Sequence, residues 1–239
     1  MNFGAILAGG IGSRLNIAAY PKQFLPLGEY PILIHTVKVF AANENLDALY
    51  IGVHPQWLDY THELLQKHIV TDKKIVVVPG GGDRNDTLFR VIDQIESDFG
   101  ADDSHIIVTH DAVRPFVTDS MIDSSIALAK EHGACGAVVP SIDTIAVSAA
   151  GQVMDSIPDR STLYQCQTPQ TFQINVLKNA FSSLTEEEKA VLTDACKICL
   201  LKGIPVYLSE GSTANIKITT MGDYNIAKAI RQLASEQEL

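Results

Sequence analysis

The sequence predicts an α/β fold in which a mostly parallel sheet is flanked by helices and a β-arm protrudes from it. Three observations carry this reading. Up to Pro140, short apolar runs of strand length alternate with segments of helical period. Two glycine-rich turns each follow such a run, at the end of the strands where an open parallel sheet gathers its ligand loops. From Ser141 the alternation stops, and two short runs flank Ala150-Gly151 instead. With 239 residues, 46% of them hydrophobic and 19% charged, the chain can close one core, and it reads as a single domain over 1–239 with an arm at about 141–172.

Phe3-Gly4-Ala5-Ile6-Leu7 reads as a buried strand opening into Ala8-Gly9-Gly10-Ile11-Gly12-Ser13-Arg14, followed by the basic stretch Tyr20-Pro21-Lys22-Gln23-Phe24. Glycines let backbone N–H groups approach an anion closely, and Arg14 and Lys22 add fixed positive charge, so the loop suits a triphosphate. A dinucleotide fingerprint is excluded: Leu15 stands where G-x-G-x-x-G needs its third glycine, and no acid closes the next strand near Val53-His54. Pro31 then opens a helix through Ile32, Leu33, Thr36, Val37 and Phe40. Leu49 to Val53 is a strand stopped by His54-Pro55, Trp57 to Ile69 is a helix, and Ile75 to Val78 is a strand. The second glycine loop, Pro79 to Thr87, precedes a helix carrying Leu88, Val91, Ile92 and Ile95, and both loops are expected to face one cleft. The alternative for the second loop is a plain turn with Asp83 or Asn85 capping the helix.

Ile106 to Thr109 is a strand ending in His110-Asp111, which sets a carboxylate over the same crevice, where it suits a Mg²⁺ ion among phosphates. The alternative is a structural ion pair with Arg114. Thr118 caps a helix from Asp119 to His132, and Gly136 to Pro140 is the fifth strand. Thr144 to Ser148 and Gln152 to Ile157 form the two strands of the arm, which is marginal alone and is expected to pack on a second copy, giving a homodimer. Leu163 to Gln170 leads into a helix from Val176 to Leu184. Thr185-Glu186-Glu187-Glu188 is a capping box, and Thr193 to Lys202 is a helix stopped by Gly203. Val206 to Leu208 and Asn215 to Ile218 are late strands, and Asp223 to Ala234 is the last helix.

A net charge of −10 excludes nucleic acid and anionic membrane surfaces as partners, so an anionic substrate must be drawn by a local basic pocket. No apolar run is long enough to cross a membrane, and Met1-Asn2 lacks the positive start of a signal peptide, so a cytoplasmic protein is expected. Four cysteines fit a reducing compartment. Cys196-Lys-Ile-Cys199 has no second Cys or His pair and reads as part of a helix, and the histidines show no metal spacing.

Taken together, Leu7-Ala8-Gly9-Gly10-x-Gly12-x-Arg14, Pro21-Lys22-Gln23, Gly80-Gly81 with Arg84, His110-Asp111-x-x-Arg114-Pro115, Asp143-Thr144, Thr168-Pro169-Gln170 and Asn215-Ile216-Lys217 resemble the cytidylyltransferases that act on small polyol phosphates. Two branches compete, one using ribitol 5-phosphate and one using 2-C-methyl-D-erythritol 4-phosphate. The stretches Ala112 to Phe116, Gln167 to Phe172, Thr193 to Ile198 and Ile216 to Thr220 look more like the ribitol branch. The resemblance implies a Rossmann-like sheet of the nucleotide-diphospho-sugar transferase type and a Mg²⁺ cofactor. The implied reaction is CTP plus D-ribitol 5-phosphate giving CDP-ribitol and pyrophosphate, for teichoic acid or capsule synthesis.

By the same resemblance, Arg14 and Lys22 stabilise the transition state, and Leu7, Ala8, Gly9, Gly10 and Gly12 wrap the triphosphate. Gly82, Asp83, Arg84, Asn85, Asp86 and Thr87 hold cytosine and ribose. Arg160 and Lys217 grip the polyol phosphate, Arg160 in cis or across a dimer, with Arg114, Thr144 and Thr168 assisting and Asp111 on the metal. Ala214 departs from the pattern, standing where the methylerythritol branch has a second acid. The lack of a paired carboxylate or a His-based triad fits catalysis by positioning and charge neutralisation. A CTP sensor without chemistry and a sugar-1-phosphate nucleotidyltransferase are the competing classes.

Overall fold

The computed structural model describes residues 1–10 and 20–237, so the expectations placed on Gly12 and Arg14 lie outside the described residues. In chain order the elements are β1 (Asn2–Ala8), β2 (Pro26–Leu27), β3 (Tyr30–Pro31), α1 (Ile32–Ala42), β4 (Ala48–Val53), α2 (Leu58–His68), β5 (Lys74–Pro79), α3 (Arg84–Phe99), β6 (Ile106–Asp111), α4 (Asp119–His132), β7 (Ala134–Pro140), β8 (Tyr164–Gln173), α5 (Ile174–Ser182), α6 (Glu186–Ala190), α7 (Ala195–Leu201), β9 (Tyr207–Glu210) and α8 (Met221–Gln237). The larger sheet runs β5-β4-β1-β6-β8-β7-β9. Its pairs are parallel except β6 with β8 and β7 with β8.

The unbroken apolar runs of β1, β4 and β6 are covered on both faces, whereas that of β5, at the sheet edge, is only partly buried. β1 and β6 are buried at every position. On one face Ile6, Val53 and Val108 pack with Leu33 and Phe40 of α1 and Ile122 of α4. On the other, Phe3, Ala5 and Ile107 pack with Leu88 and Ile92 of α3, Leu177 of α5 and Ile198 of α7. Helix ends follow the local chemistry: Thr118 and Asp83 accept N-terminal N–H groups of α4 and α3, and Thr185 with Glu188 closes a capping box on α6. All four cysteines are free, and Cys196 and Cys199 lie in α7 as expected. Among the described residues no helix is long and apolar enough to cross a membrane.

Three expectations are corrected. The stretch Tyr164–Gln173 does lead into a helix, α5, but it is itself a strand, β8, antiparallel to both of its neighbours inside the sheet. Apart from Pro169 and Phe172, its buried residues are polar, as where Thr171 Oγ1 donates to Ser125 Oγ at 2.8 Å, so it carries no run of apolar residues. Asn215 to Ile218 form no strand; they follow a turn in which Asn215 N–H donates to Ser212 O at 3.0 Å. The arm is looser than two strands: one antiparallel bridge joins Val147 and Ser156. Residues 142–157 are exposed.

Candidate active site

The loops that leave the carboxyl ends of β1, β5 and β6 open onto one cleft of about 350 Å³. Leu7, Ala8, Gly9, Gly10, Lys22 and Gln23 line it from the first loop, Gly81, Gly82, Asp83, Arg84 and Thr87 from the second, and Asp111, Ala112 and Val113 from the end of β6. Lys217 enters from the segment before α8. The two glycine loops therefore do share a crevice with Asp111 and Lys217. Other expected residues are not among its lining. Asn85 and Asp86 border a neighbouring cavity with Phe89 and Phe181. Arg114 and Thr168 are buried behind the cleft. Thr144 and Arg160 are exposed on or beside the arm, where Arg160 Nη1 donates to Ile142 O at 2.9 Å.

Two side chains that the sequence reading left out of the site shape the first loop and the cation cluster. Gln23 is buried, and its Nε2 donates to Ala8 O at 2.8 Å and Gly10 O at 3.0 Å, tying the glycine turn to the basic stretch. A polar residue directly after Pro-Lys was the available signal. Close approach explains the second loop: a Cβ on Gly81 would lie 2.1 Å from Asp86 Cγ, whereas one on Gly10 would meet nothing within 4 Å, leaving that side of the cleft open to a ligand. Thr87 Oγ1 donates to Asp83 O at 2.8 Å and accepts from Gly81 N–H at 3.0 Å. Asp83 Oδ1 accepts from Asp86 N–H at 2.8 Å, so the capping role coexists with a place on the cleft wall.

Asp111 is the electrostatic centre. Lys217 Nζ lies 2.8 Å from Oδ2, Arg84 Nε 3.2 Å from Oδ1, and Arg114 Nε 3.7 Å from Oδ2. Burial pushes the carboxyl up, but Arg84, then Lys217 and Arg114, overcome this and hold it well below the ordinary carboxylate range. The other overlooked residue is His110, fully buried and pushed down to about 4 chiefly by desolvation. The neutral ring fixes one hydrogen-bond direction. Asp111 N–H donates to Thr168 Oγ1 at 3.2 Å, the Thr168 hydroxyl donates to His110 Nδ1 at 2.9 Å, and His110 Nε2–H donates to Arg114 O at 3.1 Å. Arg114 in turn donates from Nη1 to Asn215 O at 2.8 Å. Thr168 and Arg114 thus hold the cluster from behind, and the ion pair weighed for Arg114 is present.

The arrangement suits an anion-rich reaction: a glycine-lined groove, Lys22, Arg84 and Lys217 on its walls, and the ionised Asp111 among the cations. A family model described as IspD, 2-C-methyl-D-erythritol 4-phosphate cytidylyltransferase, matches residues 4–232. The chain belongs to the IspD family. This makes it a cytidylyltransferase. Three solved structures are similar to it over nearly their whole length. The 4-diphosphocytidyl-2C-methyl-D-erythritol synthase of Anaerococcus prevotii is 24% identical, with 97% of this chain and 96% of that one covered and a TM-score of 0.78. The 2-C-methyl-D-erythritol 4-phosphate cytidylyltransferase of Francisella tularensis is 25% identical over 95% of this chain and 97% of that one, with a TM-score of 0.75. That of Thermus thermophilus is 23% identical over 97% and 100%, with a TM-score of 0.73.

Among the described residues, the cleft offers Mg²⁺ no shell made of protein side chains alone. Both Asp111 oxygens face cations, Asp83 is engaged in capping α3, and among the described residues no group of three metal-ligating side chains occurs. A hard divalent ion beside Asp111 would draw the rest of its oxygen ligands from phosphates and water.

Proposed function

We propose that this cytidylyltransferase joins CTP to a small polyol phosphate, releasing pyrophosphate. The observation that carries the reading is the convergence of Lys22, Arg84 and Lys217 on a glycine-lined cleft at the carboxyl end of the sheet. In the reaction an oxygen of the polyol phosphate attacks the α-phosphorus of CTP, the new P–O bond forms, and the bond to the β-phosphate breaks as pyrophosphate leaves. Both reactants are anions, so catalysis consists of holding them in line and neutralising their charge. Lys22, with Arg14, takes the charge growing on the α-phosphate and pyrophosphate oxygens. Backbone N–H groups of Gly9 and Gly10 line the triphosphate, and the loop from Gly82 to Thr87 holds cytosine and ribose. Lys217 receives the acceptor's phosphate, assisted by Arg160 and Thr144 from a second copy's arm. Mg²⁺ enters as the counter-ion of CTP. A nucleotide substrate and four free thiols support the cytoplasm as its compartment.

For the acceptor, the family description and the solved neighbours support 2-C-methyl-D-erythritol 4-phosphate. Ribitol 5-phosphate is the second reading, favoured by Ala214, which is exposed where the methylerythritol branch has an acid, and by the ribitol-like stretches around Arg114, Thr168 and Lys217. Pyrophosphate release, measured with CTP, Mg²⁺ and each acceptor in parallel, tests both. Turnover of one acceptor assigns it. Release with neither, alongside tight CTP binding, would leave the sensor reading standing instead.

A further inference from the structure

The segment that brings Lys217 to Asp111, residues 211–217, belongs to no helix or strand, so its position must be imposed from outside. One side chain of β8 makes three of the bonds that do so. Gln167 Nε2 donates to Ser212 O at 2.9 Å, while its Oε1 accepts from Ser212 N–H at 3.2 Å and from Asn215 Nδ2 at 3.2 Å. Asn215 Nδ2 also donates to Thr168 O at 2.8 Å, and Ile218 N–H donates to Val113 O at 2.9 Å just past Lys217. The fit is close: a Cβ on Gly211 would stand 2.7 Å from Gln167 Oε1 and 2.8 Å from Val138 O. Gln167 is 7% exposed and is not among the residues lining the cleft. Its neighbour Thr168 accepts the Asp111 amide, so two adjacent residues of β8 fix both partners of the Lys217–Asp111 pair.

We propose that Gln167 is a positioning residue that sets the register of Lys217 against Asp111, and through Lys217 sets where the acceptor's phosphate lies. The inference rests on the reading of Lys217 as the acceptor's phosphate ligand. A side chain that acts only through Lys217 should change acceptor binding and leave the nucleotide half of the cleft alone, since the two glycine loops make none of these bonds.

The test uses the full chain with Gln167→Met, which keeps length and volume and removes all three bonds, and Gln167→Glu, which keeps the two accepting contacts and loses the donation to Ser212 O. Deuterium exchange over residues 211–217 should quicken by about tenfold or more in Gln167→Met, with α8 unchanged and Gln167→Glu between it and the parent. The acceptor KM should rise by about tenfold or more while the CTP KM stays within about twofold. Parent-like exchange over 211–217 in Gln167→Met overturns the proposal, as does an equal rise in both KM values. If the parent turns over neither polyol phosphate, the functional reading fails, and the exchange comparison alone decides whether Gln167 is the clamp.

Discussion

Lys217 meets Asp111 at 2.8 Å yet keeps 45% of its side chain exposed, so one carboxylate aims the ammonium without burying it. Removing it should therefore weaken acceptor binding first: Lys217→Ala is expected to raise the acceptor KM more than the CTP KM, and equal rises would refute the role. Lys22 is proposed to act on charge that develops in the reaction itself. Lys22→Ala should lower kcat by at least about a hundredfold, on the order of 2.7 kcal/mol, the scale of one preorganised charge donor, and a loss confined to KM would contradict it. His110 makes a different prediction, because its folded value of about 4 lies below the ordinary 6.5. The unfolded chain takes up its proton first, so the stability His110 contributes is complete above pH 6.5 and is lost as the pH falls toward 4. The loss should amount to on the order of 3 kcal/mol. His35, also lowered by burial, adds to it with the same sign. Urea unfolding across that window should show the decline in the parent and a flatter profile in His110→Gln, which cannot take up the proton.

At the scale of elements, the cleft depends on how closely the start of α3 sits against β4. A Cβ on Gly52 would lie 2.4 Å from Thr87 Cγ2 and 3.4 Å from Val91 Cγ2, so Gly52 lets the helix that carries the second loop rest directly on the strand. Gly52→Ala should cost about 1–3 kcal/mol in urea unfolding, the scale of an overpacked core. Adding Thr87→Ser removes the offending methyl while keeping the hydroxyl bonds to Asp83 and Gly81, and should restore most of the loss. No restoration would mean that the approach of α3 to β4 is not the cause. The same contrast between apolar and polar packing explains what the sequence reveals. β1, β4 and β6 were legible because strands covered on both faces must be apolar throughout, and α3 and α4 because Asp83 and Thr118 announce their starts. β8 was not, since the side chains of Gln167, Thr168 and Thr171 satisfy their polar groups through partners 45 to 58 residues away, which no local pattern encodes. For the same reason Lys217 and Asp111 were legible as chemistry, while the Gln167, Thr168 and His110 bonds that aim them were not.

For the whole molecule, a chain of net charge −10 does not associate readily through its general surface, so a second copy must be met through an apolar face. The arm and its neighbours present one: Ile142, Val153, Met154 and Ile157 are 75%, 70%, 60% and 57% exposed. A single bridged loop cannot hold such side chains against water by itself, whereas a second arm can cover them. Sedimentation at micromolar protein should then give the mass of two chains, and Val153→Lys with Met154→Glu should give one. Arg160 and Thr144 ride on the same region and do not line the cleft of their own chain among the described residues, so the proposed role of Arg160 links assembly to chemistry. If Arg160 serves the other copy's cleft, Arg160→Ala and Lys217→Ala fail for complementary reasons. Mixed in equal amounts, allowed to exchange subunits and assayed at acceptor well below the variants' raised KM, the two impaired variants form hybrids in half of their dimers, and each hybrid holds one cleft with both cations intact. Activity should return to roughly a quarter of the parent's. A mixture as inactive as its components would assign Arg160 to its own chain and remove the reason for the arm to carry it across.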